Sequence, residues 1–123
     1  MKETVVVLGA SDKPDRYSNK AQKLLTQHGH RVIPVHPKLN QIDGLAVVPS
    51  LRLIHDKIDT ITMYIGPERS ANMLDELVAL KPRRVIFNPG SESTMLQNQL
   101  AANGIAIEEA CTLVLLTTGQ FEN

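Results

Sequence analysis

Thr4-Val5-Val6-Val7-Leu8 runs into Gly9-Ala10-Ser11-Asp12-Lys13-Pro14-Asp15-Arg16-Tyr17-Ser18-Asn19, and the change of character at Gly9 decides the fold. The β-branched, apolar run before Gly9 reads as a buried strand. Beyond it the loop is small and polar. Ala21, Leu24, Leu25 and His28 then fall at i, i+3, i+4 and i+7, one face of a helix over Asn19 to His28. Strand, glycine loop and helix make the first half of a βαβ unit. Unpaired N–H groups at such a helix start, together with the positive end of its dipole, favour an anion and commonly a phosphate. A glycine at the turn allows close approach of the backbone. Gly9 is the loop's only glycine, so the dinucleotide fingerprint G-x-G-x-x-G is absent.

Working outward, Gly29 is placed to end the first helix, and Arg31 to Val35 follows as a second strand. Pro34 lacks an N–H donor and suits a strand end or a sheet edge. Leu45 to Val48, after the turn signal Asp43-Gly44, is expected as a minor edge strand, and Ser50 as the cap of a short helix. Asp59 to Ile65 is a strand with Ile61, Met63 and Ile65 on one face. It breaks at Gly66-Pro67 into a helix expected to run to about Leu80, with Ala71, Leu74, Leu77 and Val78 as its apolar stripe. Pro82 stops that helix. Arg84 to Phe87 is a further buried strand, followed by Asn88-Pro89-Gly90-Ser91 and a helix carrying Met95, Leu96 and Leu100. Ile105 to Ile107 is the last strand, and Cys111 to Thr118 is apolar enough to fold back as a helix.

This alternation predicts an α/β fold: a single Rossmann-like, doubly wound domain over residues 1–123, with a mainly parallel five- to six-stranded sheet and flanking helices. Gly9-Ala10-Ser11, Pro37-Lys38, Gly66-Pro67 and Asn88-Pro89-Gly90 all follow strands, so all four loops share the carboxyl edge of the sheet, where open α/β sheets bind ligands.

The totals narrow the function. Formal net charge is zero, so no global field draws nucleic acid or a membrane surface. Aromatic content of 3% without tryptophan argues against base-stacking platforms. The lone Cys111 rules out an internal disulfide, no targeting leader precedes the first strand, and no apolar run approaches membrane-spanning length. A small cytoplasmic domain is expected, with a homodimer compatible with its size. The four histidines show no metal-ligand spacing, and no serine lies in a G-x-S-x-G elbow. Glu108 and Glu109 are adjacent, so a strand running through them points them to opposite faces, a poor general acid/base pair. Neither catalytic nor metal-binding residues are expected.

An NAD enzyme places a carboxylate after the second strand to hold the ribose hydroxyls. Here the chain reads Val35-His36-Pro37-Lys38. A lysine there suits a phosphorylated ribose, either the 2′-phosphate of NADP or the 3′-phosphate of coenzyme A. Lys13 and Arg16 lie in the first loop, and Arg69 follows Gly66-Pro67 by one turn; each is a candidate phosphate partner.

Gly9-Ala10-Ser11-Asp12-Lys13-Pro14 with Tyr17-Ser18, then Val32 to Lys38, Ile65-Gly66-Pro67, Asn88 to Glu92 and Glu109 to Thr112, resemble the coenzyme A-binding domain family, which is related to the amino-terminal domain of the succinyl-CoA synthetase α subunit. The resemblance covers essentially the whole chain. It implies that Gly9, Ala10 and Ser11 meet the pyrophosphate, with Ser18 near the helix start. Lys38 would meet the ribose phosphate, and Val35, His36 and Pro37 would flank the adenine and ribose. It implies that Ile65, Gly66 and Pro67 line the nucleotide side and that Asn88, Pro89 and Gly90 lie where the pantetheine runs. Cys111 is either a small apolar core residue or a thiol that meets the coenzyme's own. The chain ends soon after the cysteine segment, without the ligase's second domain and its phosphorylated histidine, so the expectation is binding of coenzyme A or an acyl-CoA rather than ligase chemistry. The alternatives are an NADP-binding component of a reductase or the CoA-binding half of a split ligase.

Overall fold

In chain order the elements are β1 (Thr4–Leu8), α1 (Tyr17–Gln27), β2 (Arg31–Val35), β3 (Gln41–Ile42), β4 (Leu45–Ala46), a 3-10 turn (Leu51–Leu53), β5 (Thr60–Met63), α2 (Pro67–Ser70), α3 (Leu74–Leu80), β6 (Arg84–Phe87), α4 (Thr94–Ala102), β7 (Ala106–Glu109) and α5 (Thr112–Thr117). This computed structural model describes residues 2–122; Met1 and Asn123, the ends of the expected 1–123 domain, lie outside the described residues. Five strands form one parallel sheet in the order β2-β1-β5-β6-β7. Strand direction and order make it the doubly wound α/β architecture that the alternating pattern predicts.

Alternation along each strand divides the core. Val6, Leu8, Ile33, Ile61, Met63, Val85 and Phe87 pack with Leu77 of α3 and with Leu96 and Leu100 of α4. Val5, Val7, Val32 and Ile86 face the other way, onto Leu25 of α1, Leu115 and Leu116 of α5, and Phe121. β1 lies between two neighbours, and Val5, Val6 and Val7 are wholly buried. That is why its sequence is a continuous apolar run. Pro34 falls in β2, the outer strand, as its missing donor requires.

The structure departs from the sequence reading at several places. Leu45 to Val48 does not join the sheet as a strand: β4 pairs antiparallel with β3, and only Val48 bridges Val35. The helix expected from Pro67 to Leu80 is two helices. It breaks at Ala71-Asn72, where the Met73 N–H donates to the Ser70 carbonyl at 3.0 Å in a tighter turn. Asn72, whose amide competes for backbone bonds, favours such a break, and the rotation leaves Ala71 exposed while burying Ser70. Met95 is likewise 53% exposed, because Leu96 and Leu100 alone share the i, i+4 face of α4. On α1 the buried face is Ser18, Asn19, Ala21, Gln22 and Leu25, with His28 outside. Asn19 and Gln22 are inside because their amides serve other backbone: Gln22 donates to the Ile42 carbonyl at 3.3 Å, and Asn19 is described below.

At the amino ends of the strands a buried charge network replaces apolar packing. The Arg84 guanidinium donates to Thr60 Oγ1 at 2.8 Å, Glu3 Oε2 at 3.3 Å, Glu108 Oε1 at 3.0 Å and the Phe121 carbonyl at 2.6 Å. Thr60 donates to Glu3 Oε1 at 2.6 Å, and the Phe121 ring lies 4.5 Å under the guanidinium. His30 is buried beside this network. Its Nδ1 accepts from the Glu3 N–H at 3.0 Å and its ring meets Phe121 edge-on. Among the described residues no helix is long and apolar enough to cross a membrane, and no histidine, cysteine or carboxylate cluster has the makings of a metal site.

Two outcomes follow from these buried groups. Arg84→Met removes the buried one of the two guanidinium partners of Glu3, leaving Thr60 and the half-exposed Arg83, which reaches Glu3 Oε2 at 2.9 Å. It lowers unfolding free energy by about 3 kcal/mol, part of which Glu3→Gln in the same chain restores, and urea midpoints of the single and double variants measure both. Burial holds the His30 pKa below its ordinary value of 6.5, against the nearby Glu122 and Glu3 carboxylates, which raise it, and the neutral ring accepts from the Glu3 N–H. The unfolded chain therefore binds the extra proton first. This contribution to stability is complete above the unfolded value and is lost as pH falls from there toward the lowered folded value. Urea midpoints between pH 7.5 and 5 fall in the wild type and fall less in His30→Gln.

Candidate ligand-binding cleft

β1 and β5 are neighbours, yet the chain leaving β1 turns into α1 on one face of the sheet, while the chain leaving β5 turns toward α2 and α3 on the other. The carboxyl edge opens between them, at the position where doubly wound sheets hold ligands. A cleft of about 640 Å³ lies there. Gly9, Ala10 and Ser11 line it with Lys13, Arg16, Tyr17 and Ser18 from the loop and helix start after β1. Val35, His36 and Pro37 line it from β2, Ile65 and Gly66 from beyond β5, and Pro89 and Gly90 from beyond β6.

Gly9 has φ +90°, and a Cβ there would stand 2.7 Å from Ile65 Cγ2 and 3.0 Å from the Tyr64 carbonyl carbon and oxygen. The glycine is required by this approach as well as by the turn. Arg16, the residue before α1, makes no side-chain cap, which leaves the first-turn N–H groups without that partner at the cleft wall. The loop is braced from beneath by the wholly buried Asn19, whose Nδ2 donates to the Ser11 carbonyl at 2.8 Å and to Asp43 Oδ2 at 3.2 Å. The exposed cations Lys13, Arg16 and Arg69 share the cleft with the carboxylates Asp12 and Glu76. Glu76 accepts from Ser50 Oγ and faces Arg52 Nε, each at 3.4 Å.

Three residues expected at the site do not line the cleft. Lys38 is exposed on the loop after His36, Pro67 opens α2 behind Gly66, and Asn88 turns inward. The Asn88 amide is fully employed: Nδ2 donates to Thr62 Oγ1 at 2.7 Å and the Met63 carbonyl at 2.9 Å, and Oδ1 accepts from the Thr112 N–H at 2.8 Å. It ties β5 and β6 to the start of α5. Cys111 is half-buried just before α5 and is not a lining residue. Tyr64, Pro49, Leu51, Met73 and Glu76, with Leu8, Leu39 and Ser50, also line the walls and were not expected there from the sequence. Burial pushes the Tyr64 phenol up to about 12, so it stays a neutral donor. Tyr64, the residue directly before Ile65-Gly66, carried a positional signal.

The family model for the CoA binding domain matches residues 3–117. The chain belongs to this CoA-binding domain family. A Bacillus subtilis (strain 168) protein, YneT, is 31% identical over 74 residues, 60% of this chain and 55% of that protein, so the match spans about half of the relative's length. A crystal structure of an uncharacterized protein is similar over 98% of this CoA-binding domain and 99% of its own chain, with 37% identity and a TM-score of 0.93. The dinucleotide forming acetyl-coenzyme A synthetase 1 of Ca. Korarchaeum cryptofilum, solved with phosphate and ADP, shares the fold at 17% identity and a TM-score of 0.76, over 88% of this chain and 25% of that one.

Gly9→Ala tests the close approach. The strained φ and the contact with the Tyr64 backbone lower stability by about 2 kcal/mol, read from urea unfolding. A neutral outcome would mean that the β1 loop moves freely away from Ile65.

Proposed function

We propose that residues 1–123 act as a single cytoplasmic domain that binds coenzyme A or an acyl-CoA in the cleft between β1 and β5, as a binding protein rather than as a catalyst. The observation that carries the reading is the pairing of family membership with a cleft whose floor is the Gly9-Ala10-Ser11 backbone and the start of α1, and whose rim bears Lys13, Arg16 and Arg69. Backbone N–H groups at a helix start bind pyrophosphate without a titrating group, and exposed cations add attraction at little desolvation cost.

In this reading Gly9, Ala10, Ser11 and Ser18 face the pyrophosphate, and Val35, His36 and Pro37 face the ribose and adenine. Ile65 and Gly66 close the nucleotide side, and Pro89 and Gly90 border the pantetheine. Lys38, exposed on the loop after β2 and outside the cleft lining, reaches over to take the 3′-phosphate. The absence of a carboxylate after β2 supports coenzyme A or NADP over NAD. Pro67 and Asn88 support the site from behind rather than touch the ligand.

Calorimetric titration with coenzyme A, NADP and NAD in parallel decides the ligand. Micromolar binding of coenzyme A alone, about 8 kcal/mol, is expected; preference for NADP overturns the ligand assignment. In the same assay Lys38→Ala weakens coenzyme A about tenfold and dephospho-coenzyme A by less than about twofold. Equal losses would remove Lys38 from the 3′-phosphate.

A further inference from the structure

His36, the first residue beyond β2, is built into the backbone of the loop it begins. Its Nδ1 accepts from the N–H groups of both Lys38, at 3.0 Å, and Leu39, at 3.1 Å. Its own N–H donates to the Val48 carbonyl at 3.2 Å, which fixes the root of the side chain to the Val35–Val48 bridge. A nitrogen that accepts carries no proton, so this hydrogen-bond network assigns a neutral ring with its proton on Nε2. Two N–H groups, two and three residues on, gathered by one side-chain acceptor are what asparagine or aspartate provides at turns. Here the acceptor is titratable.

We infer that His36 is the positioning residue of the Pro37-Lys38-Leu39 loop and that a proton on Nδ1 releases this loop. Protonation replaces the acceptor by a donor, and the Lys38 and Leu39 N–H groups then face another N–H. The charged and titratable side chains lining the same cleft are, besides His36, Asp12, Lys13 and Arg16 from the loop after β1, Tyr17 of α1, Tyr64 beyond β5, Arg69 of α2 and Glu76 of α3; Lys38 lies on the loop itself. The consequence for ligand binding rests on the coenzyme A reading, and its sign is diagnostic. A new positive charge beside an anionic ligand would by itself tighten binding as pH falls, whereas loss of the loop's geometry weakens it.

The test has a ligand-free arm and a ligand arm. In amide-resolved NMR of the ligand-free protein, the Lys38 and Leu39 N–H signals move with the His36 ring signals between pH 8 and 5, the range in which imidazoles titrate. In His36→Asn, whose side chain accepts without titrating in that range, those movements are absent. In calorimetry, the ratio of wild-type to His36→Asn dissociation constants for coenzyme A rises about tenfold from pH 7.5 to pH 5.5. Taking the ratio cancels the ligand's own phosphate titration. His36→Ala, with no acceptor, binds about tenfold more weakly than His36→Asn at pH 7.5, and amide spectra check that each variant is folded. Amide signals that stay still while the ring titrates, or a ratio flat with pH, overturn the proposal. Failure of the wild type to bind coenzyme A at pH 7.5 sinks the ligand reading, and the amide titration still decides the loop.

Discussion

The parting of β1 from β5 is the constraint on which the carboxyl edge depends. The two strands pair in parallel up to Leu8 and Met63, and the Tyr64 N–H still reaches the Leu8 carbonyl at 2.9 Å. One residue later the chains leave for opposite faces of the sheet. On the other side of the same turn, the Ala10 N–H donates to the Val35 carbonyl at 3.2 Å. Gly9 is thus held between two strands, its hydrogen side against the Tyr64 backbone and the Ile65 side chain. The cleft is what remains when two crossovers diverge and no side chain fills the turn. Its floor consists of backbone, because only backbone can lie that close to both strands.

The two edges of the sheet solve different problems. At the amino ends nothing needs to enter, and Arg84 gathers Thr60, Glu3, Glu108 and the Phe121 carbonyl around one buried guanidinium. Four partners are needed because an unpaired ion buried there would cost several kcal/mol. At the carboxyl ends polar side chains hold the loops instead: the Asn88 amide under the β6 loop, Nδ2 of Asn19 under the β1 loop, and Nδ1 of His36 inside its own. Each fixes a loop whose outward surface stays free. The opposite edge is locked through side chains, and the cleft edge is shaped by side chains that bind backbone.

Much of this was legible in the sequence because it depends on local pattern. Strand runs, the glycine after the first strand, prolines at helix starts and stops, and the succession of loops at one edge all follow from period and turn chemistry. Buried polar side chains were not legible. Asn19 and Gln22 stand outside the apolar stripe of Ala21, Leu24, Leu25 and His28, and their partners, Ser11, Ile42 and Asp43, lie in segments brought near only by the tertiary fold. Arg84 opens an apolar run and gives no hint that Glu3, 81 residues earlier, meets it. The family resemblance implies Asn88 at the ligand, but residues in strand-end loops also hold the loop together, and its three hydrogen bonds point inward. Glu76 and Met73 reach the cleft because the helix after Gly66 breaks, which a continuous apolar stripe conceals.

In the proposed reading the cleft holds a polyanion although the formal net charge of the chain is zero. Without a long-range field, attraction must arise within roughly a Debye length, about 8 Å at physiological salt. Lys13 and Arg16 from the loop after β1 and Arg69 from α2 come to the same rim, with Lys38 on a further loop, and outnumber the lining carboxylates Asp12 and Glu76, so the local balance there differs from that of the molecule. All four cations are exposed, keep their hydration in the free protein and impose no folding penalty. Screened point charges discriminate poorly between one phosphate ester and another. On that reading the finer choice falls to the rigid parts: the backbone of Gly9 to Ser11, the aliphatic walls from Val35, Ile65 and Leu51, and the register of the loop that His36 gathers. Charge at the rim sets how readily an anion arrives, and the geometry of the backbone sets which one stays.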